Sequence, residues 1–227
     1  MQESDQAQSR EYHLLLQREE MVLKQLLARG IRDESLLDAM RTVPREVFVP
    51  DHLREAAYGD FALPIGEGQT ISQPYIVALM IEALNLSKQD RVLEIGTGSG
   101  YGAAILSRIA SQVFTIERRK NLARSAKEKF KDLGYENIHV RHGDGTKGWE
   151  EYAPYDAIIV TAGGPQIPDS LFQQLKVGGR LVIPQGSQLT HQELVRIKKI
   201  SGKEYKREKI SDVRFVPLIG EKGWPES

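Results

Sequence analysis

The chain contains no cysteine and no excess of either charge. The first absence removes disulfides, thiolate zinc sites, iron–sulfur clusters and a cysteine nucleophile together, and leaves nothing that requires an oxidising compartment. The second is an equality, 31 Lys and Arg against 31 Asp and Glu, so no global field gathers polyanions and a nucleic-acid partner is not expected. Long apolar runs are also missing. Nothing approaches the ~20 residues of a membrane span, and residues 1–10 lack the basic start and apolar stretch of a signal peptide. The expectation is a cytoplasmic protein without a membrane partner. Among the five histidines, His139 and His142 have an H-x-x-H spacing. On a strand, residues three apart face opposite sides, so no metal is expected.

What remains is ordinary globular material, 40% hydrophobic and 27% charged over 227 residues, enough for one domain with a proper core. Residues 1–10 are polar and expected to fray. Residues 11–227 are expected to form the domain, as a helix-and-loop extension (11–86) followed by a nucleotide-binding core (87–227). In the extension, Tyr12, Leu15, Leu16, Met21, Leu23, Leu26 and Leu27 give an imperfect helical stripe ending at Gly30, and Asp33 caps a second helix that Pro44 stops. The stretch YGDFALPIGEGQTISQP (58–74) has no usable period. Its Phe61, Leu63, Ile65 and Ile71 point to an ordered loop packed on the core. An apolar helix follows over 74–86. Strands at 91–96, 113–117, 137–144 and 156–160 then alternate with helical stretches, and a turn at Gly178-Gly179 precedes the strand RLVIP. This alternation predicts an α/β fold, a Rossmann-like doubly wound and mostly parallel sheet with helices on both faces. The last two apolar runs flank Ser201-Gly202 with no helix between them, which predicts an antiparallel hairpin at the sheet edge. Seven basic residues from Arg196 to Lys209 suit a solvated edge guarded by charge.

A strand followed by Gly96-Thr97-Gly98-Ser99-Gly100 and a helix is a nucleotide-type site, because glycines let a ligand approach the backbone and a helix N-terminus favours electronegative groups. Two registers are open. Counted from Gly98, GSGYGA fits the relaxed dinucleotide fingerprint. Counted from Gly96, where the apolar strand ends, the motif is G-x-G-x-G, and Tyr101 stands where the dinucleotide version has Gly. Glu94 just before the turn favours a cationic ligand over a pyrophosphate; S-adenosylmethionine carries a sulfonium and an ammonium. Glu117 ends the next strand 21 residues after Gly96, close to the ~20-residue offset of a ribose-binding carboxylate. Asp144-Gly145 is placed to meet an adenine amino group, and Thr161-Ala162-Gly163-Gly164 to line the donor. All four candidates fall at C-terminal ends of strands, where open α/β sheets bind ligands.

VLEIGTGSGYGAAIL (92–106), LPIGEGQTISQP (63–74), HGDGTKGW (142–149) and DVRFVPLIG (212–220) together resemble the protein L-isoaspartate (D-aspartate) O-methyltransferase family of class I methyltransferases, from about Val43 to Gly220. The resemblance implies S-adenosylmethionine as methyl donor. It implies damaged proteins and peptides with L-isoaspartyl, or less efficiently D-aspartyl, residues as partners. Methylation of the free carboxylate would let the ester cyclise to a succinimide that can hydrolyse to normal aspartate. By the same resemblance Ser72 is the active-site residue, Thr70 and Ile71 beside it touch donor and acceptor, and Gly96, Glu117, Asp144 and Gly145 contact the donor. Glu94, Gly98, Gly100 and Ala162 complete the expected donor site. Asp60 is placed to recognise a substrate amide or to form a turn, and Val216 alternates with Arg214 so that one face borders the donor pocket. A monomer is expected.

The residues suit that chemistry on their own terms. A main-chain-type carboxyl has a pKa of ~3.5, so the nucleophile is ionised at neutral pH and needs no general base. Orientation is what it needs, and the Ser72 hydroxyl and the backbone N–H groups of residues 66–71 are suited to give it. Ser72 is equally well placed to cap the helix that follows. Three other functions stay open on sequence: an RNA or small-molecule methyltransferase on the same fold, a non-catalytic nucleoside-binding module, and an NAD-dependent reductase.

Overall fold

The computed structural model describes residues 2–188 and 191–226. Helix α1 (Gln2–Glu20) is already helical through the stretch expected to fray, with Met1 outside the described residues. It passes into a π-turn over Met21–Leu26 and a 3₁₀ turn over Leu27–Arg29, closed by Gly30 at φ +97°. The wider π-turn breaks the 3.6-residue period, so the buried stripe is Leu14, Arg18, Met21, Val22 and Leu26. Tyr12, Leu15, Leu16 and Leu23 of the expected stripe are exposed. Helix α2 (Glu34–Thr42) begins as its sequence requires, with the Asp33 carboxylate accepting the Leu36 N–H at 3.0 Å.

Residues 58–74 are not loop throughout. Strands β1 (Leu63–Gly66) and β2 (Gln69–Ile71) form an antiparallel hairpin, and arms this short give no countable period. Glu67 and Gly68 turn it with φ of +53° and +68°, the left-handed pair that a two-residue hairpin favours. Leu63 and Ile71 are buried, whereas Phe61 is half exposed. Helix α3 (Pro74–Leu84) follows, with Pro74 in its first turn where a missing N–H costs nothing.

The core then runs β3 (Arg91–Ile95), α4 (Tyr101–Ile109), β4 (Gln112–Glu117), α5 (Lys120–Asp132), β5 (Ile138–His142), β6 (Tyr155–Val160), α6 (Asp169–Gln174), β7 (Leu175–Gln188), β8 (His191–Lys199) and β9 (Tyr205–Val213). These seven strands form one sheet in the order β5-β4-β3-β6-β7-β8-β9. Pairings from β5 to β7 are parallel, and β8 and β9 add antiparallel, which places the expected hairpin at the edge. The expected turn at Gly178-Gly179 is instead a bulge inside β7. Register against β6 jumps from Tyr155↔Leu175 to Ala157↔Arg180, and Gly178 takes φ +81° to absorb the extra residues.

Strand alternation sends Val92, Val113, Ala157 and Ile159 to one face, beneath α3, α4 and α5, and Leu93, Ile95, Ile116 and Ile158 to the other with Leu171 of α6. Helices cover both faces, but unequally, since α6 has only six residues. Trp149 and Tyr152 extend the second layer. From β3 the chain steps outward to β4 and β5, then returns to β6 on the other side of β3. The sheet therefore has its switch point between β3 and β6, where the carboxyl ends of strands open a crevice. Among the described residues no helix is long and apolar enough to cross a membrane.

Candidate active site

The crevice between β3 and β6 is a cavity floored by Gly96 and Thr161 and roofed by the β1–β2 hairpin with its following residues. Gly96, at φ +99°, leaves no room for a Cβ, which would collide with the Thr161 hydroxyl. That hydroxyl donates to the Gly96 carbonyl at 2.8 Å, so the strand ends are locked together under the cavity. Gly98 differs. At φ +53° its Cβ position meets only Ile65 Cδ1, at 3.5 Å, leaving the backbone open to a ligand.

Two carboxyl groups flank the glycine turn. Glu117 accepts the Gly98 N–H at 2.9 Å through Oε2 and the Arg119 N–H at 2.8 Å through Oε1. Each oxygen keeps a second lone pair, enough for a diol. Glu94 is buried on β3 and accepts from the Thr115 hydroxyl at 2.6 Å. Thr115 in turn lies 2.6 Å from the Thr97 hydroxyl, so the donors run from Thr97 through Thr115 to Glu94. Burial pushes the Glu94 carboxyl up to about 8; the Thr115 bond opposes the rise and the nearby charge of Glu117 adds to it. Among the described residues Glu94 has no cationic partner in the structure.

On the hairpin side Thr70, Ile71 and Ser72 line the cavity, and Thr70 and Ser72 also line an outer groove that passes Gln73, Ile76 and residues 212–217. Ser72 thus stands where the cavity and the groove adjoin. The N-cap of α3 is Gln73, with no side-chain cap, so Ser72 is not the helix cap. Val216 enters the cavity wall because the C-terminal segment pairs with Gly163: the Gly163 N–H donates to the Val216 carbonyl and the Leu218 N–H to the Gly163 carbonyl, both at 2.8 Å. Arg214 falls in the outer groove.

Glu94, Gly96, Gly98, Glu117, Gly145, Ala162 and Val216 are therefore brought together with Thr70, Ile71 and Ser72. Three expected residues are not on the cavity wall. Gly100 faces α5, where a Cβ would lie 2.8 Å from Phe130 Cζ, so helix packing and its φ of +97° account for the glycine. Asp144 is occupied in turn formation: it accepts from the Thr146 N–H and hydroxyl and from the Glu221 N–H, and so ties the C-terminal tail to the end of β5. These bonds hold its carboxyl below the usual range against the opposing effect of burial. Asp60 pairs with Arg29 at 3.1 Å and accepts from Gln73 at 2.7 Å, outside both cavities. His139 stacks on Phe114 and His142 bonds the Arg118 carbonyl, and no group of three potential metal ligands occurs among the described residues.

The chain matches the sequence model of the protein-L-isoaspartate(D-aspartate) O-methyltransferase family over residues 17–223. It belongs to that family. It is 62% identical to protein-L-isoaspartate O-methyltransferase 1 of Geotalea uraniireducens over 207 residues, covering 91% of this chain and 94% of that protein. Protein-L-isoaspartate O-methyltransferase 2 of Pelobacter propionicus is 58% identical over 91% of this chain and 92% of its own. A solved protein-L-isoaspartate O-methyltransferase superposes with a TM-score of 0.82 at 34% identity, over 91% of this chain and 67% of that one. A Plasmodium falciparum structure containing S-adenosyl-L-homocysteine gives 0.74 at 28% identity, over 87% and 96%. Each of the four motifs that carry the resemblance contributes residues to the wall of this cavity. Reasoning from the motifs gave no role to Thr97 and Tyr101, which line the cavity, or to Thr115, which supports Glu94 from beneath, whereas Thr161, expected to line the donor, is on the cavity wall. The signal for Thr115 was present as a hydroxyl on an otherwise apolar strand, VFTIE.

Proposed function

We propose that this chain is a protein-L-isoaspartate O-methyltransferase that methylates the free carboxylate of L-isoaspartyl residues in damaged proteins, and D-aspartyl residues less efficiently, with S-adenosylmethionine as donor. The observation that carries the reading is the position of Ser72 and Thr70, which with Thr161, Val216 and Pro217 line both the cavity and the outer groove. A small donor in the cavity and a peptide in the groove would meet at this shared wall, where Thr70 and Ser72 supply the hydroxyls on the hairpin side.

The residues present fit the donor. Glu94 is a buried acid without a cationic partner among the described residues, so that a sulfonium or ammonium bound beside it would favour its ionised form, and Gly98 offers open backbone beside the free lone pairs of Glu117. When bound, S-adenosylmethionine supplies an electrophilic methyl carbon. The chain's own contribution is placement and exclusion of water. Glu117 and the glycine turn hold the nucleoside end, Gln69 to Ile71 of the hairpin close the roof, and the Ser72 hydroxyl orients the acceptor carboxylate. Among the described residues no histidine lines the cavity, and none is required, because a carboxyl of pKa ~3.5 arrives already ionised. The released ester then closes to a succinimide as the following backbone amide nitrogen attacks the ester carbonyl and methanol leaves; water opens the ring, in part to normal aspartate, and the reaction serves protein repair in the cytoplasm.

Two peptides identical except for Asp or L-isoAsp at one position, incubated with labelled methyl donor, test the reading. Label in the isoaspartyl peptide alone is the expected result. Equal labelling of both, or of neither while RNA is labelled, overturns it.

A further inference from the structure

Arg45 is wholly buried, yet its partners are main-chain carbonyls and an aromatic ring rather than an acid. Its Nε donates to the Ala57 carbonyl at 2.6 Å and its Nη2 to the Ser72 carbonyl at 2.8 Å. Its guanidinium carbon lies 4.9 Å from the ring centre of Tyr101, the first residue of α4 after the glycine turn. Nη1 is buried with no acceptor in hydrogen-bond geometry. The neighbouring carboxylate, Glu46, is taken by Arg18 at 3.0 Å and by the Tyr58 hydroxyl. Burial is the chief influence on the guanidinium and disfavours its charge, though an arginine stays protonated under any ordinary condition.

A buried charge without a counter-ion is costly, and a fold that keeps one has a use for the field or for the geometry. Here both point the same way. The one side chain bridges the donor helix, through Tyr101, to the residue at the mouth of the acceptor groove, through Ser72. We propose that Arg45 is a positioning residue that fixes the Ser72 segment against the donor site and supplies, from behind it, the positive charge that selects an ionised acceptor carboxylate. This rests on the reading that the acceptor carboxylate lies at Ser72. Arg45 itself does not touch the acceptor; it acts through the Ser72 backbone and through its charge in a region of low dielectric, where charges are felt at longer range than in water.

The test measures the affinity of protein saturated with S-adenosylhomocysteine for two peptides, one with the isoaspartyl free carboxylate and one with a carboxamide in its place. Wild-type protein is expected to prefer the acid. Arg45→Gln, which keeps donors for the carbonyls but loses the charge, should reduce that preference by about tenfold, the equivalent of one charge-assisted bond. Arg45→Lys, which keeps the charge, should retain most of it. Both variants are compared at saturating S-adenosylhomocysteine so that any change in the donor site is separated from the peptide. A purely structural role predicts that Arg45→Gln weakens both peptides alike, and an unchanged ratio overturns the proposal.

Wild-type protein gives a second measurement that does not depend on a variant folding. A charge sealed from counter-ions is not screened, so the acid-over-amide ratio should persist between about 0.01 M and about 1 M salt, while the screening length falls from about 30 Å to about 3 Å. A ratio that collapses with salt assigns the selection to exposed cations and overturns the proposal. Failure of the parent reading has a different signature: wild-type protein would neither methylate the isoaspartyl peptide nor prefer its carboxylate at any salt.

Discussion

Glu94 and Gly102 are in direct opposition: a Cβ added at position 102 would collide with Glu94 Oε1. The second residue of α4 is glycine because the strand beneath it carries a buried carboxyl group, not because the helix turns there. Alanine is ordinarily about 1 kcal/mol better than glycine inside a helix. Gly102→Ala should nevertheless destabilise this protein, by about 1–3 kcal/mol, the usual cost of overpacking. In a Glu94→Ala background the same substitution should be neutral or stabilising. Urea unfolding of the four proteins of this cycle measures the coupling, and additive effects would remove the contact from the explanation.

The state of Glu94 also sets a pH dependence. An ordinary glutamate titrates near 4.5, and burial raises this one to about 8 in the folded protein. Between those values the folded state holds a proton that the unfolded chain has released. The resulting stability is full below the ordinary carboxyl pKa and is lost as pH rises through the folded value. Glu94→Gln stays neutral throughout. Its stability relative to wild type should therefore climb from about pH 5 to about pH 8, by no more than about 1.4 kcal/mol per pH unit. Parallel curves in denaturant titrations at the two ends of this window would mean that Glu94 is ionised in the folded state.

Glu117 has both carboxylate oxygens tied to backbone N–H groups, one of them in the glycine turn. Glu117→Ala should weaken S-adenosylmethionine and S-adenosylhomocysteine by the same amount, about 1.5–3 kcal/mol, because the contact proposed for it, with the ribose diol, does not sense the transferred methyl. Calorimetric titration of the two ligands checks this. A variant that separates them strongly would place the carboxylate beside the sulfur.

The fold was legible wherever the sequence repeated a period. Strand–helix alternation from Arg91 onward, the Asp33 cap and the edge hairpin each carry a local signal that packing did not override. What failed were places where one residue or one turn changes the register. The π-turn at Met21–Leu26 moved the buried face of the first helix, and the bulge at Gly178 carried a strand through two glycines. The β1–β2 hairpin was too short to have a period at all. In the site, residue types located the cavity but could not tell a glycine on its wall, such as Gly98, from one that meets Phe130, as Gly100 does. Nor could they show that Lys199, one of the seven basic residues of the edge segment, is buried with its ammonium on the carbonyls of Phe172, Gln173 and Leu175 at the end of α6. Both depend on contacts more than 20 residues away, which no local pattern encodes.

The position of Ser72 separates two roles that the sequence left together. A capping serine would be worth about 1 kcal/mol of stability and nothing in turnover. Gln73 occupies the N-cap position and no side chain caps the helix, so Ser72→Ala should leave stability within about 0.5 kcal/mol of wild type, as for substitutions that remove no structural bond. On the proposed reading its effect belongs to the reaction. Loss of a hydroxyl that orients an ionised carboxylate should cost about 1.5–3 kcal/mol, or about ten- to a hundredfold in kcat/KM for an isoaspartyl peptide, with S-adenosylmethionine affinity unchanged. Ser72→Thr restores a hydroxyl but adds a methyl group at the junction of cavity and groove, and activity below that of the alanine variant would mark the junction as closely packed. The pH profile gives an independent reading. With an ionised nucleophile and no histidine on the cavity wall, the rate should show no essential ionisation at the ~6.5 of an ordinary histidine. Full turnover by folded Ser72→Ala, at both saturating and limiting peptide, would leave the acceptor carboxylate to the backbone N–H groups of the hairpin alone.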